Sequence, residues 1–106
     1  MAWLLLFFAG VLEVVWAFAM KISQGFSRPG PSVATLVAGL ASFILLSISM
    51  RSLPLGTAYT VWTGIGAIGA FIVGVVALGE PLTLARGIAA ILIVTGLILM
   101  KAATAA

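Results

Sequence analysis

The residue of this chain best placed to do chemistry is Glu13, a lone acid inside an otherwise apolar stretch over residues 3–20. A charged side chain at membrane depth costs about 2.5–3.5 kcal/mol by insertion scales. A Glu in such a place is therefore expected to hold a proton, a cation, or each in turn. The plainer reading is a neutral, hydrogen-bonded structural residue, or the partner of a buried Arg. No Lys or Arg falls deep inside any apolar run, so a permanent buried ion pair within one chain has no candidate.

Helical spacing places Leu6, Ala9, Gly10, Glu13, Trp16, Ala17 and Met20 on one face. Gly10, one turn before the carboxylate, leaves room for a ligand or a second helix. Trp16, one turn after it, is expected to donate its indole N–H to Glu13; simple packing is the alternative. In the second apolar run, Thr35, Gly39, Ser42, Leu46 and Ser49 share a face. Ser42, near mid-depth, is read either as a hydrogen-bond partner of Glu13 or as bonded to backbone. In the third run Tyr59 and Trp62 stand one turn apart, with Gly66 and Gly69 continuing their face. Aromatic faces hold cations, and Tyr or Trp can orient a carboxylate; an interfacial aromatic pair is the plainer role. Gly64, Gly66 and Gly69 let helices approach closely and lower the cost of bending.

Composition sets the class. Of 106 residues, 64% are hydrophobic and 7% charged, against roughly 25% charged in a soluble domain. The chain cannot cover a water-facing surface and reads as a single-domain, all-α integral membrane protein. It has no Cys and no His, which removes disulfides, thiolate chemistry and the commonest general base and metal ligand. Glu13 and Glu80 are the only acids, and Glu80 lies in a Gly-Glu-Pro turn. Paired-carboxylate catalysis within one chain is not expected, so the chain is not read as an enzyme, and no metal or organic cofactor is indicated. The formal charge of +3 comes from Lys21, Arg28, Arg51, Arg86 and Lys101. These are scattered singly at the ends of apolar runs, as membrane-boundary residues are, and do not form a nucleic-acid patch.

Four transmembrane helices are predicted, over about residues 3–20, 32–50, 57–78 and 84–100, each long enough to cross a bilayer. Pro- and Gly-bearing turns separate them at 21–31, 51–56 and 79–83. The Ala17-Phe-Ala19 tripeptide resembles a signal-peptidase site, but the segment lacks a basic start and is interrupted by Glu13, so it is kept as the first helix. Short turns predict an up-down bundle. Lys21, Arg28 and Arg86 then face Arg51 and Lys101 across the membrane, a near balance under the positive-inside rule. Insertion in both directions stays open beside a single orientation set by a small bias. The fourth helix has no ionisable residue in its interior and reads as a packing or oligomer surface. A homodimer would bring two Glu13 side chains together. Carboxylates sharing a desolvated site titrate as a coupled pair, so protons fill the site when no cation does. That is the minimum needed for proton-coupled antiport.

These residues resemble the small multidrug resistance family of four-helix exporters over essentially the whole chain. The resemblance rests on Glu13, Lys21, Gly25-Phe-Ser-Arg28 and Pro54-Leu-Gly-Thr-Ala-Tyr-Thr-Val-Trp-Thr-Gly-Ile-Gly66. Leu12-Glu-Val-Val-Trp-Ala17, Thr63-Gly-Ile-Gly-Ala67 and Gly79-Glu-Pro81 are similar to the guanidinium exporter subtype rather than the polyaromatic-drug subtype. The resemblance implies an antiparallel, dual-topology homodimer in the cell membrane that exchanges guanidinium ion for protons at paired Glu13 side chains. It implies that Trp16, Ser42, Tyr59 and Trp62 support that carboxylate and line the site, and that Gly10 gives space. The stretch containing Gly64, Gly66 and Gly69 would line a lateral opening or bend during alternating access. Lys101 matches a terminal Lys of the subtype. A broader exporter of quaternary ammonium cations, and a non-transporting membrane assembly subunit, are the alternatives.

Overall fold

The computed structural model of the chain describes residues 1–104. Four α-helices account for most of them: α1 (Ala2–Ile22), α2 (Pro29–Ser49), α3 (Leu55–Ala77) and α4 (Leu84–Ala103). No strand occurs among the described residues, and each helix is long and apolar enough to cross a membrane.

The helices overrun the expected boundaries for local reasons. Pro29 and Pro31 read as breakers in the sequence, yet α2 begins at Pro29. A proline in the first helical turn costs nothing, because its missing N–H would have no intrahelical partner. Arg28 before it is extended, at φ −103° and ψ 121°, as the residue preceding proline usually is. Pro54 precedes α3 in the same way. α4 continues past residue 100 and places Lys101 in its last turn, where a cation meets the negative end of the helix dipole.

The turns are organised by side chains as much as by glycine. Ser23 is fully buried. Its hydroxyl donates to the Met20 carbonyl at 2.6 Å and accepts the Phe26 amide at 3.0 Å. Its carbonyl accepts the amides of Ser27 and Arg28. Those bonds hold Gln24, Gly25 and Phe26 in left-handed conformations, with φ of 51°, 73° and 65°. After α3, Gly79 takes φ 68°, the usual means of stopping a helix. Thr83 then caps α4 by accepting the Arg86 amide at 3.2 Å.

Consecutive helices run in opposite directions. Thr57 at the start of α3 meets Thr104 just beyond the end of α4. Lys101 lies over the Trp3 ring, 5.0 Å from its centroid, joining the end of α4 to the start of α1. The core lies between the first three helices and consists of Leu6, Ala9, Leu46, Leu53, Ala58, Val61 and Trp62. α1 packs on α2 and α3, whereas α4 packs mainly on α3 and has no buried residue. The chain is a slab of 43 × 35 × 16 Å, and its thin dimension is little more than the width of one helix with side chains. Leu36, Val37 and Leu40 on α2 and Ile91, Leu92 and Ile98 on α4 are widely exposed. A water-soluble protein does not present such faces; in lipid they carry no penalty.

Candidate functional site

Glu13 projects from α1 toward α3 and lies directly against Gly66. A methyl group on residue 66 would run into the Glu13 carboxyl oxygen and its carbon, so the carboxyl needs a glycine at that place. The same seam is dense on either side. A side chain at position 10 would meet Ile65, and one at position 69 would meet Val14. Gly10, Gly66 and Gly69 thus draw α1 and α3 together around the acid. Gly64 belongs to another contact, because a side chain there would strike Leu97 of α4. α3 runs as one continuous helix through all three of its central glycines.

One carboxyl oxygen of Glu13, Oε1, is buried without a hydrogen-bond partner among the described residues. The indole nitrogen of Trp16 is in the same condition. The expected bond between them is not made, since the two side chains leave α1 in different directions. Glu13 faces α3. Trp16 faces α2, where its ring covers Gly39 and stands 6.5 Å from the Phe43 ring. A three-residue step on a helix turns the side chain by about 60°, enough to point the two at different neighbours.

Ser42 differs from expectation as well. It is fully buried, donates to the Ala9 carbonyl at 2.6 Å, and accepts the Trp62 indole N–H at 3.0 Å. Neither group therefore reaches Glu13 directly. In an α-helix the Ala9 carbonyl is also the acceptor for the Glu13 amide. The chain Trp62–Ser42–Ala9 consequently ties α3, α2 and α1 together at the backbone turn that carries the acid. Ala9 makes this possible: fully buried and small, it lets α2 approach the α1 carbonyl that a larger residue would cover.

Tyr59 is half-exposed, with its ring 5.6 Å from that of Trp62. Phe43, which the sequence reading passed over, stands 5.7 Å from Trp62 and completes a row Trp16–Phe43–Trp62–Tyr59 across α1, α2 and α3. Its signal was its place one residue after Ser42, hidden because its ring looks like one more lipid-facing apolar group. Tyr59 lies seven residues before Gly66, about 10 Å along the helix, so the far end of the aromatic row stands well away from the carboxyl.

This arrangement suits reversible capture of a cation. The acid has an open acceptor oxygen and no ion-pair partner among the described residues. The described residues hold no group of side chains that could bind a metal. A charge on a carboxyl in that position, with one oxygen buried and unpartnered, is costly to leave without a counter-ion.

Comparison with known proteins places the chain among relatives. The family model for the Small Multidrug Resistance protein matches residues 1–94. A guanidinium exporter from Yersinia pseudotuberculosis is 56% identical over 104 residues, covering 98% of this chain and 100% of the relative. Guanidinium exporters from Escherichia coli strain K12 and from Salmonella typhimurium are 53% and 51% identical over the same length, covering 98% of this chain and 99% of each relative.

Proposed function

The chain belongs to the small multidrug resistance family, and from that premise we propose that it exports guanidinium ion, and small singly substituted guanidinyl compounds, in exchange for protons. It is a multi-pass protein of the cell membrane, with four helices of spanning length. The observation that carries the proposal is the Glu13 carboxyl, seated on Gly66 with an unpartnered buried oxygen, in a chain so similar to named guanidinium exporters.

Guanidinium is planar, weakly hydrated and shaped to give a carboxylate two parallel N–H bonds. A flat ion pairs with a flat carboxylate, and Gly66 leaves the room that the Glu13 carboxyl occupies. The row Trp16–Phe43–Trp62–Tyr59 crosses α1, α2 and α3, and its ring faces are of the kind that attract a cation. Ser42 and Trp62 act through the backbone turn that fixes Glu13, as positioning residues. Gly10 and Gly69 set the seam between α1 and α3, and Gly64 sets the spacing to α4. Proton and cation compete for one carboxylate, so each released ion leaves room for the other. Apparent affinity for guanidinium should therefore weaken as pH falls.

The functional unit in this reading is an antiparallel, dual-topology homodimer with two Glu13 side chains. It is supported by the near balance of Lys21, Arg28 and Arg86 against Arg51 and Lys101, and by a slab-like chain whose fourth helix buries nothing. The test is to reconstitute the chain alone in liposomes and record proton-coupled currents on adding guanidinium, then tetrapropylammonium. A Glu13-dependent current for guanidinium only is the expected result. Equal currents for both ions would move the chain to the broader ammonium-exporting class that the aromatic row also suits. Silence for both would defeat the transport reading.

A further inference from the structure

The second acid of the chain holds a guanidinium group already. Glu80, in the turn between α3 and α4, lies 3.7 Å from Nη2 of Arg86. Nη1 of the same Arg donates to the Pro81 carbonyl at 2.6 Å. The guanidinium carbon stands 5.2 Å from the centroid of the Phe71 ring. A carboxylate, a carbonyl and an aromatic face are the three kinds of group that recognise this cation. Beneath them Gly74 is buried, and a methyl group there would collide with the Glu80 carboxyl. The seat is thus built like that of Glu13 on Gly66, eight residues along the same helix, about 12 Å away.

A cavity of about 320 Å³ adjoins this cup, running between α1 and α3 past Ala17, Ala70 and Phe71. Ala17 and Ala70 lie one turn beyond Glu13 and Gly66 on their helices. Lys21, on α1, is the other cation on its wall. Both Glu80 and Arg86 side chains are partly exposed, at 40% and 38%, so the pair can be reached from outside and can separate.

We propose that the cup formed by Glu80, the Pro81 carbonyl and the Phe71 ring is a second binding site for planar guanidinium-type cations, with Arg86 as its tethered resident ligand. A free guanidinium ion that displaces Arg86 enters the cavity leading toward Glu13. Its service as a first stop in export rests on the transport reading above; its binding chemistry does not. An ammonium ion with four alkyl groups fails here, since it has no N–H to give to Glu80 or Pro81.

The test uses the full chain in lipid nanodiscs, with Glu13→Gln present throughout to silence the membrane site. Guanidinium chloride is titrated while the backbone amides of Gly74, Gly79 and Glu80 are followed by NMR. Removing the tether by Arg86→Ala keeps the amide that Thr83 caps and empties the cup. Saturable shifts at those amides are expected in the Glu13→Gln, Arg86→Ala chain. With Arg86 retained, the midpoint should rise about tenfold or more, because a tethered competitor acts at millimolar effective concentration. Adding Glu80→Gln should abolish the shifts, while unchanged amide positions for Ala9, Ser42 and Trp62 report that the fold is intact. Absence of saturable shifts in the Arg86→Ala background, their survival in Glu80→Gln, or equal shifts with tetramethylammonium would each overturn the site. Failure of guanidinium-driven flux in the unaltered chain would strike only the transport reading.

Discussion

The two acids of this chain occupy matching seats with opposite contents. Glu13 rests on Gly66 and Glu80 rests on Gly74, and in both places a side chain on the glycine would displace the carboxyl. Glu80 has Arg86 beside it and sits at the edge of the membrane span. Glu13 sits deep within α1, with an oxygen that no described residue satisfies. The difference teaches why the transport proposal rests on Glu13 and not on Glu80. Both acids rest on a helix glycine, but only Glu80 has a counter-ion beside it among the described residues.

Substitutions can break this comparison in graded ways. The largest effect is expected from Glu13→Gln, which removes the exchangeable charge; guanidinium-driven proton flux in liposomes should fall to the protein-free background. Persistent coupled flux would mean that the acid is structural. Next comes Gly66→Ala, whose methyl group evicts the carboxyl from its seat. We expect flux at least about tenfold lower, in line with a misplacement of order 1 Å, in a chain that still folds. Gly74→Ala performs the same operation under Glu80 and should lower flux less. If it proves the more damaging of the two, the ranking of the seats is wrong.

Ser42→Ala should act on stability more than on substrate choice. It leaves the buried Trp62 indole N–H unpaired, at a cost of about 1–3 kcal/mol, readable as a lower unfolding midpoint in detergent. An unchanged midpoint would show that Trp62 finds another acceptor. The smallest effect on stability belongs to Arg86→Ala. The Glu80–Arg86 pair is exposed, and such pairs are worth about 0–1 kcal/mol.

Much of this architecture could be read from spacing alone. Thr35, Gly39, Ser42, Leu46 and Ser49 were placed on one face by their three- and four-residue intervals, and all five are buried. A lone acid in an apolar helix pointed to Glu13, and the glycine-rich stretch of α3 lies against it. What spacing does not contain is which neighbour a side chain meets. Trp16 and Glu13 share a broad face, but only the packing of α2 and α3 on either side of α1 sends one to Gly39 and the other to Gly66. Ser42 went to a backbone carbonyl because Ala9 left that carbonyl open, a fact about two helices together. Pro29 and Pro31 misled for a different reason. Their effect on a helix reverses between its interior and its first turn, so residue type without position gives the wrong sign. The hub role of Ser23 depends on left-handed residues whose conformations no local pattern announces.

The fourth helix carries a further consequence. Since no residue of α4 is fully buried, and Leu97 and Met100 are its side chains packed against the core, folding of the chain sets little requirement on the rest of its side chains beyond being apolar. In a saturation mutagenesis scan, α1 and α3 should show intolerant positions wherever a glycine or core residue is touched. Tolerance along α4 would then be a gauge of outside contacts. If selection refuses to vary Ile91, Leu92 or Ile98, which are exposed in the chain, those positions must be answering to a surface on another molecule.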